Sequence, residues 1–267
     1  MDGVPKVKRY AAGRARALGL PTRGTTAPNR LRRVDRWLVG VHGDVLRRAA
    51  HPLVVDLGYG ASPVTAVELH ARLRAVRPEV EVVGVEIDQE RVDAAQAAAV
   101  DGLSFRRGGF ELAGLRPTVV RALNVLRQYE PEPAAEAWRT MTERLAPGGL
   151  LVEGTCDELG RRAAWVTLDA SGPRTLTLAA HLPSLPRPSE LAERLPKALI
   201  HDNVPGSAVH ELLRALDDAW DRAAPHAVFG PRARWTAACE ALSWPGADVR
   251  RARLGELTVP WPTVAPR

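Results

Sequence analysis

Cysteine is scarce in this 267-residue chain: Cys156 and Cys239 are the only two. Two thiols cannot build a disulfide framework, and neither sits in the paired Cys/His spacing that holds zinc. Both are expected as buried or half-buried thiols. Lysine is also rare, with Lys6, Lys8 and Lys197 against abundant arginine. The net charge of +6 therefore has two readings. One is an acidic partner such as nucleic acid; the other is the arginine, alanine and proline bias of a GC-rich coding sequence. No apolar run reaches the ~20 residues of a membrane span. The opening Met1-Asp2-Gly3-Val4-Pro5-Lys6 lacks the apolar core of a secretory signal. The expectation is a soluble, cytoplasmic protein with no membrane partner.

What is present is alternation. Residues 1–50 divide into a basic arm, broken by Gly13, Gly19, Pro21 and Gly24, and an amphipathic helix over residues 28–48. That helix carries Leu31, Val34, Trp37, Leu38, Val41 and Val45 at helical spacing, with Arg30, Arg32, Arg33 and Arg36 at its start. Residues 51–181 form the core. Short apolar strands are expected at 53–57, 80–87, 103–106, within 118–126 and at 150–153, and helices at 63–76, 91–100 and 134–145. This is the βαβ pattern of a parallel, doubly wound α/β sheet with helices on both faces. The pattern then changes to a hairpin, 164–168 and 174–180, about Asp169-Ala170-Ser171-Gly172-Pro173. Residues 182–267 read as a helical cap or addition. It has a proline-rich stretch, one helix with Val209, Leu212, Leu213, Leu216 and Trp220, another with Trp235, Ala238, Cys239 and Leu242, and a last strand over 249–259.

A glycine turn between the first strand and first helix is where doubly wound sheets bind nucleotides. Here it reads Asp56-Leu57-Gly58-Tyr59-Gly60-Ala61-Ser62-Pro63. Glycines let a ligand approach the backbone, and the helix start offers unpaired N–H groups. A dinucleotide site wants a third glycine near the helix start, and Ser62-Pro63-Val64 stands there instead. Asp56 would repel a diphosphate but suits an ammonium or a sulfonium. The loop therefore points to S-adenosylmethionine.

Four segments in order carry a resemblance. They are the Asp56–Gly60 turn, Val83-Gly84-Val85-Glu86-Ile87-Asp88, Phe105-Arg106-Arg107-Gly108-Gly109-Phe110-Glu111 and Leu145-Ala146-Pro147-Gly148-Gly149-Leu150-Leu151. Together they resemble the class I S-adenosylmethionine-dependent methyltransferases. The resemblance implies a seven-stranded, mostly parallel Rossmann-like sheet with an N-terminal helix and a C-terminal helical addition. It implies S-adenosylmethionine held by Asp56, Gly58, Tyr59, Gly60, Glu86, Ile87, Gly109, Phe110 and Asn124. Glu86 takes the place of the acid that holds the ribose hydroxyls. The third segment departs from the pattern: Gly109 and Phe110 replace the usual acid and Glu111 follows. There Phe110 stacks on adenine, or a backbone N–H serves it, or Phe110 is core.

Methyl transfer needs little beyond holding two reactants in line, and a base only where the nucleophile must shed a proton early. The candidates for contact with an acceptor are Asn124 and Arg127 after the fourth strand, and Glu153, Cys156 and Asp157 at the fifth. His201, in the polar run 199–206, is a candidate base. No Asn-Pro-Pro-Tyr or Asp-Pro-Pro-Tyr occurs, which disfavours exocyclic base nitrogens and glutamine amides. Three readings stay open: a small-molecule or peptide methyltransferase, which is favoured; an RNA methyltransferase using the arginines of 30–36; and a non-catalytic cofactor-binding scaffold. For Glu86, charged hydrogen bonds worth roughly 1.5–3 kcal/mol each set the expected outcome. Glu86→Ala should weaken S-adenosylmethionine binding at least about tenfold, and an unchanged affinity by calorimetry would remove Glu86 from the site.

Overall fold

The computed structural model describes residues 27–129 and 131–266, so the basic arm expected in the first twenty-odd residues lies outside the described residues. Eight strands form one sheet: β1 (Leu53–Leu57), β2 (Glu81–Glu86), β3 (Leu103–Arg107), β4 (Val119–Leu123), β5 (Leu150–Cys156), β6 (Arg162–Asp169), β7 (Gly172–Ala180) and β8 (Glu256–Pro260). Their spatial order is β3-β2-β1-β4-β5-β6-β7-β8. The pairs from β3 to β5 are parallel, and those from β5 to β8 are antiparallel.

Helices cover both faces. Helix α1 (Arg32–Arg48), α2 (Val64–Arg74) and α3 (Gln89–Ala95) pack on one side, where Trp37, Leu38, Leu69, Leu73 and Val92 meet Val54, Val82 and Trp165. Helix α4 (Pro131–Thr142), the short α5 (Lys197–Ile200), α6 (Ala208–Arg222) and α7 (Pro231–Glu240) pack on the other. There Trp138, Met141, Leu216 and Trp235 meet Val120, Leu151 and Leu178. The apolar periods of α1 and α6 explain their docking. Asp88 caps α3 by accepting from the N–H groups of Glu90 and Arg91, so this helix starts earlier than its alanine run suggests.

The sheet differs from the sequence expectation in three respects. The sheet has eight strands rather than seven, and its last three form an antiparallel meander. The cause is the link after β5, which is too short for a crossover of a dozen or more residues. Asp157 closes it: its carboxylate accepts from the N–H groups of Leu159 (3.1 Å), Arg161 (2.8 Å) and Arg162 (3.0 Å). Strand β5 runs to Cys156, not Glu153, because β6 pairs along its polar end from Glu153 to Cys156. Strand β8 starts at Glu256; upstream, Asp248 reaches it in an isolated bridge to Thr258.

Helix α1 crosses β6, with the Trp37 and Trp165 rings 5.1 Å apart, edge to face. Gly154 lies opposite Trp165, and a Cβ there would sit 2.2 Å from the Ala164 carbonyl oxygen and 2.6 Å from Trp165 Cα. Gly154→Ala is therefore expected to push β6 off β5. A loss of about 1–3 kcal/mol is the size of overpacking penalties, read as a lower urea midpoint.

Candidate functional site

The order reverses at β1, which pairs with β2 on one side and β4 on the other. Crevices at such switch points, beyond the strands' carboxyl ends, are where open α/β sheets bind ligands. The glycine turn lies there. Gly58 (φ +70) and Gly60 (φ +85) adopt the left-handed backbone that favours glycine. A Cβ on Gly58 would lie 2.7 Å from a Val125 methyl, so the loop and the segment after β4 are in close contact. The Gly58 N–H donates to Val85 O (2.7 Å), tying the turn to β2.

Glu86 ends β2 and is 4% exposed. Its Oε2 accepts from the Gly60 N–H (3.0 Å) and its Oε1 from the Ile87 N–H (2.9 Å). Arg91 lies 3.7 Å from Oε2. Oε1 also accepts from the Asp88 N–H (3.5 Å), so most of the acceptor capacity of Glu86 is used within the chain. Tyr59 turns inward, 4% exposed, edge-on to Phe105 at 5.3 Å, with its hydroxyl donating to Arg91 O (3.3 Å). Burial, then the charge of Glu86, push its phenol pKa up. Past β3, the Gly109 N–H donates to Glu111 Oε1 (2.7 Å), so the acid one place beyond the usual position folds back on this turn. Phe110 is half-buried and meets Tyr129 edge-on at 5.3 Å.

Asp56 has a different place from the one its motif suggests. It is 2% exposed, and both its oxygens engage Arg121, from Nε at 2.9 Å and from Nη2 at 2.7 Å. The expectation that Asp56 offers its charge to a ligand cation is thus revised: the charge is met beneath the turn. Arg121, inside the apolar strand β4, was not singled out by the sequence reading. Its Nη1 donates to Asp35 of α1, which in turn accepts from Arg72 of α2 at 2.6 Å. Burial alone would lower the Arg121 pKa, but Asp35 and Asp56 outweigh it and hold the cation.

The acceptor-side candidates separate. Asn124 (φ +64) ends β4 in left-handed backbone, which asparagine tolerates better than most residues. Its Oδ1 accepts from the Cys156 N–H (2.9 Å) and its Nδ2 lies 3.2 Å from Cys156 Sγ. Asn124 thereby splices β4 to β5 at the rim. Cys156 is 1% exposed, which turns it away from an acceptor, and burial pushes its thiol up. Arg127 is exposed. Asp157 is the turn carboxylate described above. His201 is exposed after α5, with Nε2 2.7 Å from Lys197 Nζ. Glu153 is fully buried in β5; Oε2 accepts from Trp138 Nε1 (3.1 Å), and Oε1 has no hydrogen-bond partner among the described residues.

The parallel part of the sheet, β3-β2-β1-β4-β5, with its glycine turn at the reversal, is a doubly wound, Rossmann-like arrangement. No family profile matches the chain, and no curated protein matches it. Solved structures do. The magnesium protoporphyrin IX methyltransferase of Synechocystis, crystallised with S-adenosylhomocysteine, matches at 21% identity and TM-score 0.38, over 48% of this chain and 55% of its own. The chain thus spans little more than half of that enzyme. The CcbJ methyltransferase of Streptomyces caelestis matches at 20% identity and TM-score 0.34, over 60% of this chain and 68% of its own. The sugar N-methyltransferase KedS8 of a Streptoalloteichus species matches at 16% identity and TM-score 0.36, over 58% and 77%.

Burial pushes the Glu153 pKa up to about 8, with the Trp138 hydrogen bond opposing. An unfolded glutamate titrates near about 4.3. Between these values the folded chain holds a proton that the unfolded chain has lost, so stability falls as pH rises through the window and levels off above it. Glu153→Gln removes this slope. Its stability relative to the parent is expected to climb from about pH 5 to about pH 8, by at most about 1.4 kcal/mol per unit; a flat difference in urea titrations would show Glu153 ionised in the fold.

Proposed function

We propose that this protein is an S-adenosylmethionine-dependent methyltransferase. The observation that carries the reading is the joining of Glu86 to Gly60 at the switch point: the strand-ending acid and the glycine turn form one cradle. The residues suit the cofactor. Glu86 puts a carboxylate at the strand end, in place to accept from a ribose hydroxyl. Helix α2 starts at Val64, whose N–H donates to Ser62 Oγ (3.4 Å), and the next N–H groups of its first turn, from Thr65 and Ala66, suit a carboxylate. Gly109 and the Phe110–Tyr129 pair stand at the β3 and β4 rims, where an adenine ring would have an aromatic face. When bound, the cofactor supplies a methyl group on a sulfonium already activated for displacement. This chain then has only to orient, exclude water and hold an acceptor in line.

The acceptor favoured is a small molecule or a peptide. Two of the four arginines that an RNA reading would use serve the fold instead. Arg30 donates to the carbonyls of Asp157 (2.9 Å) and Cys156 (3.3 Å), and Arg33 to that of Leu254 (2.8 Å). Arg32 and Arg36 are exposed, which leaves a smaller phosphate footprint than the sequence run implies.

The test is transfer of labelled methyl from S-adenosylmethionine into a cell extract, followed by fractionation with nuclease, protease and organic solvent. Label in the organic or protease-sensitive fraction is expected. Nuclease-sensitive label would move the acceptor to RNA, and cofactor binding with no label would make the protein a scaffold.

A further inference from the structure

Arg121 is the largest fully buried charged side chain among the described residues, and it does more than neutralise Asp56. Its Nη2 also donates to the Thr65 carbonyl (3.0 Å). Asp56 precedes the glycine turn, and Thr65 lies in the first turn of α2 that follows it. One guanidinium therefore closes both ends of residues 57–64. The planar, forked donor set makes this span available to arginine and not to lysine.

The same group reaches outward. Nη1 donates to Asp35, which is 0% exposed and faces inward from α1. The other oxygen of Asp35 accepts from Arg72 (2.6 Å), and Arg72 contacts Glu68 (3.3 Å) and Asn29 Oδ1 (3.0 Å). The Asn29 N–H closes the circuit on Glu68 Oε1 (2.7 Å). Arg121 is thus shared between two buried aspartates, and Asp35 is shared between Arg121 and Arg72; without Asp35, Nη1 of the fully buried guanidinium loses its carboxylate partner. A buried ion left unbalanced is far more costly than the intact set.

We propose that Arg121 is a positioning residue for the cofactor turn, and that through Asp35 it couples the docking of α1 to cofactor affinity. The proposal rests on the methyltransferase reading for its ligand but not for its geometry. Coupling of this kind is reciprocal: a docked α1 holds the turn in its binding shape, and a bound cofactor holds α1.

The test uses Asp35→Asn in the full chain, which keeps the Arg121–Asp56 pair and touches no residue of the turn. Hydrogen exchange of the ligand-free protein is compared with S-adenosylhomocysteine affinity by calorimetry. Exchange over residues 58–66 is expected to speed up at least about fivefold and affinity to fall about five- to tenfold. Bound S-adenosylhomocysteine is expected to slow exchange in α1 of the parent but not of the variant. Leu216→Ala, in the core on the opposite face, serves as a control matched for loss of thermal stability and should change neither quantity. Arg121→Lys is expected to follow Asp35→Asn, because charge without the fork cannot close the turn. If Asp35→Asn loses stability like the control but keeps parental exchange and affinity, the cluster is merely structural and the proposal is overturned. If the parent itself binds no S-adenosylhomocysteine, the functional reading falls. The ligand-free exchange then still decides on the staple: unchanged rates overturn it.

Discussion

The fold turns on one guanidinium placed where a parallel strand would ordinarily carry an aliphatic side chain. Arg121 sits in the middle of β4 between β1 and β5, and its charge is met from three directions: β1, α1 and α2. A cation at such depth fixes more than its own neighbours. It dictates that an acid follow the apolar run of β1, that an acid interrupt the buried face of α1, and that α2 begin close enough to present a carbonyl. Apolar packing alone would tolerate small shifts of α1 along the sheet. A closed set of charged hydrogen bonds does not, since each displacement strands a buried charge.

The parallel half of the molecule was legible in the sequence because it is written in repeated, local terms. Apolar runs of five or six residues gave the strands, and alanine- and leucine-rich periods gave the helices between them. The glycine turn and Glu86 could be placed because their spacing from a strand end has a backbone reason. Asp35 and Arg121 escaped notice for the opposite cause. Their partners lie 86 residues apart in the chain, and neither belongs to a local pattern. The available signal was an anomaly in each element: an arginine within Val119-Val120-Arg121-Ala122-Leu123, and an aspartate on the helix stripe between Leu31 and Leu38. A charge on a face otherwise destined for burial implies a partner somewhere, though not which one.

The antiparallel half was harder to read. The hairpin was visible, but its pairing to β5 was not, because the polar end of β5 looks like a loop. Glu153, Thr155 and Cys156 are buried by β6 and by the segments that follow it, so tertiary pairing overrode local composition there. Asp157 and Asn124 share that history. Each is the kind of residue that suggests chemistry at a strand end, and each is largely occupied in joining strands: one closes the β5–β6 turn, the other splices β4 to β5.

The placement of β8 has a consequence for how such a chain can change over time. Strands β7 and β8 are neighbours in the sheet, yet everything between Ala180 and Glu256 is a single excursion from one to the other. The entropic cost of closing a loop grows only slowly with its length. The links between helices in that excursion can be lengthened while the strands on either side keep their register. The half of the molecule that carries the glycine turn is constrained by buried charge, whereas this excursion is held on the sheet mainly by apolar packing, through residues such as Leu216 and Trp235.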